Sequence, residues 1–310
     1  MSRIDTNKLR QFSNIELIAK QLVEGFITGL HKSPFHGFSV EFAEYRPYNT
    51  GESTRHIDWK LYGRTDKLFV KQYEEETNLR CQIIIDTSSS MYFPIRKTLS
   101  LETPSKLYFS VYAAAAIIQM LKQQRDAVGL SLFSDKIDFH SQAKSNNIHI
   151  KMITTELEKL LSNYDENQKQ TTNVIDSLHE IAERIHKRSL VVIFSDMFDN
   201  VQEQEEMFLA LKHLRHNKHE VILFHVYDEN LEINFEFDNK PYKFIDMETQ
   251  EVIKVNASEM RTLYQKSMRE YKQELKLRCE QYLIDLVETN INEGFYKVLY
   301  TYFLKRQKMP

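Results

Sequence analysis

Two short runs without polar alternation constrain this chain more than any other feature: Ile83, Ile84 and Ile85 within CQIIIDTSSSM (residues 81–91), and LVVIF at residues 190–194. Such a run reads as a strand buried on both faces, and strands of that kind belong to parallel sheets covered by helices on either side. Each run ends in oxygen chemistry. Asp86, Ser88 and Ser90 follow the first in an Asp-x-Ser-x-Ser pattern, and Ser195 and Asp196 follow the second. One anionic and two neutral oxygens on a tight loop are a donor set for a hard divalent cation such as Mg2+.

Around these runs the chain alternates. Thr103 and Pro104 open a helical pattern that runs to about residue 124, threonine suiting the cap and proline the first helical position. Strands at 127–133 and 137–141 follow, joined by a turn at Ser134 and Asp135, and then helical patterns at 149–161 and 174–187. A helix at 202–215 and a strand at 221–226 come after the second apolar run. Strand and helix in turn predict an α/β fold with a doubly wound, mainly parallel sheet. Alternation at 233–237 and 242–246 interrupts that rhythm and predicts an inserted hairpin or small sheet. Asn256 and Glu259 then have capping-box spacing at the start of a long helix with Met260, Leu263, Met268, Tyr271, Leu275 and Cys279 on one stripe. Residues 283–287 read as a sixth strand, and Asn290 and Asn292 as caps of a final helix.

Before residue 80 the pattern differs. Ile15, Ile18, Leu22, Phe26 and Leu30 mark an amphipathic helix over 14–30, and period-two alternation marks strands at 38–43, ending near Arg46 and Pro47, and at 68–75. The expected division is 1–79 as an N-terminal helix and β-containing addition, and 80–310 as the main domain with a β insertion at about 228–256. Between the two early strands lies EYRPYNTGESTRHIDWKLYGRT, residues 44–65. It carries Arg46, Arg55, Lys60 and Arg64 among Glu44, Glu52 and Asp58, with Trp59 as the only tryptophan. Composition alone makes this an ion-paired surface loop anchored by Trp59, and the competing reading is a platform for a partner.

Several function classes are disfavoured. A net charge of -3 and a pI of about 6.4 give no general reason to bind nucleic acid or an anionic membrane. Only seven glycines occur in 310 residues, with no dinucleotide or P-loop motif. Cys81 and Cys279, the only cysteines, suggest neither a disulfide framework nor a thiolate metal site. The longest apolar run, 111–121, falls short of the roughly 20 residues of a bilayer span, and the start has no signal-peptide layout. A cytoplasmic protein without a transmembrane segment is expected. His179, His186, His213, His216 and His219 lie on or beside helical patterns and read as solvent-facing or satisfied by neighbours, and no G-x-S-x-G accompanies Ser88.

In an open doubly wound sheet, ligands bind beyond the carboxyl ends of the strands where strand order reverses. With order 3-2-1-4-5-6 that point lies between the two apolar runs. The loop holding Thr171 and Thr172 leads toward the same edge. DTSSSM at Asp86, Ser88 and Ser90, Thr172 in QTTN and the strand-end Asp196 resemble the metal-ion-dependent adhesion site of von Willebrand factor A domains, with Thr171 as the alternative to Thr172. Two positions depart from that pattern: Gln170-Thr171 and Met197 stand where such domains often have glycine. YNTGESTRHIDWKLYGRT, followed by SKLYFSVYAAAAIIQMLKQQRDAVGLSLFS, is similar to the bacterial family of unknown function encoded beside MoxR-type AAA+ ATPases, over most of the chain from about Gly37.

The resemblance implies a von Willebrand factor A-like, Rossmann-type domain holding Mg2+, with Mn2+ or Ca2+ as alternatives. It also implies a coordination position left for a partner's Asp or Glu. It casts Arg46, Arg55, Asp58, Trp59, Lys60 and Arg64 as docking residues, and a MoxR-type ATPase and client proteins as partners. The expected function is a non-enzymatic, metal-dependent adaptor. The alternatives are a Mg-dependent phosphoester hydrolase and a metal-free scaffold.

Overall fold

The apolar runs become the two central strands of a six-stranded sheet. In the computed structural model, which describes residues 15–31, 45–47, 59–71, 79–96, 98–134, 136–162, 174–197, 204–246 and 252–307, the chain forms two compact units. One is residues 1–27 with 79–310, and the other is residues 28–78.

The sheet of the larger unit contains β3 (Arg80–Asp86), β4 (Ala127–Phe133), β5 (Ile137–His140), β6 (Leu190–Ser195), β7 (Glu220–Tyr227) and β10 (Asp285–Asn290), in the order β10-β7-β6-β3-β4-β5. Numbered along the chain this is 6-5-4-1-2-3, so the order reverses between β3 and β6. All pairings are parallel except that of β4 with β5. β3, β4 and β6 are buried over almost their whole lengths, as their missing alternation requires.

Helices cover both faces. Ile84, Val191, Ile193, Val221 and Leu223 share one core with Leu178 and Ile181 of α5 (Val174–Arg184), Phe208 and Leu211 of α6 (Gln204–His216), and Leu275 and Cys279 of α7 (Ala257–Gln281). Side chains alternate along a strand, so Ile83, Ile85 and Val192 point to the opposite face. That face takes α3 (Lys106–Gln123), which touches β3, β4 and β7 and also packs on α4 (Asn147–Ser162) and α8 (Tyr296–Gln307). Its four successive alanines, 113–116, are buried and allow close approach. Among the described residues no helix is long and apolar enough to cross a membrane.

Several local expectations are corrected. α3 is capped by Ser105, whose side chain accepts from the Tyr108 N–H, so Thr103 and Pro104 lie outside the helix. Residues 233–237 form no strand: Asp228 accepts from the N–H groups of Asn230 and Leu231 and winds 229–233 into a π-helical turn. The inserted hairpin is instead β8 (Pro241–Ile245) with β9 (Val252–Asn256). Asn256 does begin α7, but its side chain makes no cap hydrogen bond. The last strand starts two residues later than expected because Leu283 takes a left-handed backbone, φ 57°. Asn290 closes that strand, and its carboxamide oxygen accepts from the Asn292 N–H. α1 (Ile15–His31) precedes residue 79 in the chain, yet its first thirteen residues belong to the larger unit. Phe26 meets the rings of Tyr296 and Phe303 on α8 at 5.5 and 6.0 Å.

In the smaller unit, β1 (Tyr45–Pro47) and β2 (Phe69–Lys71) pair antiparallel, and Trp59–Thr65 forms the short helix α2. The 38–43 part of the first strand lies outside the described residues.

Candidate metal centre

β3 and β6 are hydrogen-bonded neighbours up to Ile85 and Phe194, so the residues that follow emerge side by side at the sheet's carboxyl edge. Asp86 is buried there with both carboxylate oxygens engaged. Oδ1 accepts from the Ser88 N–H at 2.9 Å, and Oδ2 accepts from the Ser195 hydroxyl at 2.7 Å. Burial, and then the negative charge of Asp196, push the Asp86 carboxyl up to about 6 against those hydrogen bonds.

Ser88 stands at the N-cap of a one-turn 3-10 helix, Ser89–Tyr92, yet its side chain makes no cap hydrogen bond. That hydroxyl therefore does not cap the turn in this structure. Its Oγ lies 3.0 Å from the Oγ of Ser90, which is partly exposed. Thr171 and Thr172 lie outside the described residues. Asp196 is buried beyond the end of β6, and Met197 takes the left-handed conformation, φ 54°, that a glycine adopts most easily. Met197 is held in it by the Ser195 hydroxyl, which accepts from its N–H at 3.0 Å, and by the Tyr271 hydroxyl, which donates to its carbonyl at 2.5 Å.

The main feature missed from sequence is Lys106. Its ammonium is buried, 1% exposed, and donates to Asp196 Oδ2 at 2.7 Å and to Glu232 Oε1 at 2.5 Å. Burial opposes its charge, but Asp196 and then Glu232 more than reverse this and hold the ammonium above its usual pKa. Glu232 comes from the π-helical turn after β7, and its other oxygen accepts from the Asp228 N–H at 2.7 Å. His225, paired with Ser195 across β7 and β6, is also buried, and among the described residues neither ring nitrogen has a hydrogen-bond partner. One signal was available for Lys106. It is the first residue of α3, where the helix dipole disfavours a cation, so a lysine there asks for a compensating anion. Nothing local marks Glu232 as that anion.

Asp86, Ser88, Ser90 and Asp196 thus gather at one edge. Among the described residues there is no cluster of three or more His, Cys, Asp or Glu side chains fit for a metal. The donors assembled here are hydroxyls beside two carboxylates. Of the six docking candidates, Trp59 and Arg64 lie on exposed positions of α2, Trp59 being 60% exposed and edge-on to Tyr62 at 6.2 Å. Lys60 is on the same helix and Arg46 is in β1, while Arg55 and Asp58 lie outside the described residues.

Residues 44–274 match the family model described as protein of unknown function DUF58. The chain belongs to the DUF58 family. That match takes in the smaller unit's strands, the 3-10 turn, Lys106, Asp196 and Glu232. An uncharacterized protein of Mycobacterium tuberculosis (strain ATCC 25618 / H37Rv) is 32% identical over 91 residues, 29% of this chain and 29% of that protein. An uncharacterized protein of Mycobacterium bovis matches with the same figures, so the chain spans less than a third of these curated relatives. Among solved structures, the conserved hypothetical protein BatB from Bacteroides thetaiotaomicron is 14% identical with a TM-score of 0.40. An aerotolerance-related membrane protein from Bacteroides fragilis NCTC 9343 is 17% identical with a TM-score of 0.45. Each covers 74% of this chain and 100% of its own. Likeness at that level assigns this family member no function.

Proposed function

We propose that this protein is a non-enzymatic cytoplasmic adaptor whose larger unit is von Willebrand factor A-like and grips a partner's Asp or Glu through a bound divalent ion. Ser88 and Ser90 supply direct ligands, Thr172 or Thr171 adds one from the neighbouring loop, and Asp86 and Asp196 balance charge. The observation that carries this reading is the convergence at one sheet edge of Asp86, Asp196 and two serine hydroxyls hydrogen-bonded to each other at 3.0 Å. Mg–O bonds of about 2.1 Å at right angles put adjacent ligands of an octahedron about 3.0 Å apart. Charge agrees with spacing: among the described residues, the three carboxylates of Asp86, Asp196 and Glu232 outnumber the Lys106 ammonium by a formal two charges, which a divalent cation would offset. Mg2+ retains waters readily, which leaves a position for an incoming carboxylate. In this reading the Trp59 helix docks a MoxR-type AAA+ ATPase.

Calorimetric titration with Mg2+, paired with partner capture in Mg2+ or chelator, tests the proposal. Wild type binds the ion and captures a carboxylate-bearing client only in its presence, whereas Ser88→Ala loses both by at least tenfold. Capture by Ser88→Ala that keeps the full Mg2+ dependence would sink the reading. The metal-free scaffold has one observation in its favour, the ammonium already seated on Asp196. It predicts no rise in melting temperature with Mg2+ or Mn2+.

A further inference from the structure

We infer that Lys106 is a resident counter-ion of this site, a specificity-determining residue that keeps the carboxylates assembled without metal and sets divalent affinity low enough for exchange. The inference rests on the metal site proposed above. Its independent basis is how completely the ammonium is built in. A cation in the first turn of α3 meets the positive end of the helix dipole and is cut off from water, two costs that only close anions offset. Two such anions are present, Asp196 at 2.7 Å and Glu232 at 2.5 Å, and the Phe93 ring lies under the same nitrogen at 5.8 Å.

Glu232 is itself fixed. Its second oxygen accepts from the Asp228 N–H, while the Asp228 carboxylate accepts from two N–H groups of the turn and from the Asn292 side chain at 3.2 Å. Lys106 therefore cannot swing away without giving up both of these buried ion pairs. An ion drawn to Asp196 must share that carboxylate with an ammonium already on Oδ2. Repulsion between dication and ammonium in a buried setting weakens binding, whereas Glu232, the lysine's second anion, offsets part of it.

The formal charge of the four groups converts this into opposite signs for two substitutions. Wild type carries three carboxylates and one ammonium, -3 + 1 = -2. Lys106→Met gives -3, and Glu232→Gln gives -2 + 1 = -1. Titrating the full chain with Mg2+ and separately with Mn2+ should show Lys106→Met binding at least tenfold tighter and Glu232→Gln at least threefold weaker. Glu232→Gln is isosteric and keeps the lysine, so it carries the test if Lys106→Met does not fold. If wild type binds metal and either variant, once folded, shifts the other way or not at all, Lys106 is not the affinity-setting counter-ion. Loss of binding in both variants, as plain unfolding would give, overturns the inference equally. If neither wild type nor the variants bind either ion, the metal site itself fails, and this inference with it.

Discussion

Asp86 and His225 are both buried near Asp196, and burial acts on them with opposite sign. The Asp86 carboxyl is raised to about 6, chiefly by burial and next by Asp196. Unfolded, it titrates near 4, so between roughly pH 4 and 6 the native state holds more protons and stability falls as pH rises. His225 is lowered to about 4, chiefly by burial with Asp196 opposing. Its unfolded counterpart titrates near 6.5, so over roughly pH 4 to 6.5 the unfolded state holds more protons and stability is lost on acidification. Each shift spans about two pH units, on the order of 3 kcal/mol, so in metal-free protein the two slopes largely cancel. Asp86→Asn should make acid destabilisation steeper than in wild type, and His225→Phe should make it shallower. Urea midpoints at pH 4, 5, 6 and 7 in chelator check this. Equal slopes in the two variants would contradict the opposed titrations.

At the scale of elements, the strands were legible wherever burial on both faces removed alternation, as at Ile83 to Ile85, and the parallel order followed from the intervening helices. Alternation misled at 233–237 because a single carboxylate, Asp228, captures two backbone donors and overrides the period. The helix start misled by two residues because Ser105, not Thr103, reaches the free N–H. The site was half legible. Asp86, Ser88, Ser90 and Asp196 announce themselves as oxygens at strand ends, but Lys106 and Glu232 are 126 positions apart and only the fold joins them. Gly129 in β4 shows the same limit. A Cβ there would stand 2.6 Å from the Ser141 carbonyl oxygen and closer still to the carboxamide oxygen of Gln82, whose Nε2 donates to Ser131 Oγ at 2.9 Å. The obstacle is backbone and a hydrogen-bonded side chain, so little can give. Gly129→Ala should cost about 1–3 kcal/mol, read as a lower urea midpoint with unchanged slope. A neutral result would mean that β5 and its following turn yield more easily than their pairing with β4 suggests.

For the molecule as a whole, the division into residues 28–78 and the remainder makes a separable prediction about its two proposed surfaces. Trp59 and Tyr62 present an exposed aromatic pair on α2, with Arg64 beside them, a composition typical of residues that dominate binding energy at interfaces. The helix has seven residues and Trp59 is mostly solvent-exposed, so truncating it removes little core. In the adaptor reading, the ATPase contact belongs to this unit and the metal-bridged contact to the other. Substitutions in separate units without shared partners add. Trp59→Ala should therefore weaken capture of a MoxR-type ATPase at least tenfold, about 1.4 kcal/mol. Mg2+ affinity and melting temperature should stay at wild-type values. Ser88→Ala should do the reverse, losing Mg2+ binding while still capturing the ATPase. The double variant should show the sum of the two losses. A Trp59→Ala protein that also loses Mg2+ affinity would show that the units act as one coupled surface, and the assignment of separate roles to them would fall.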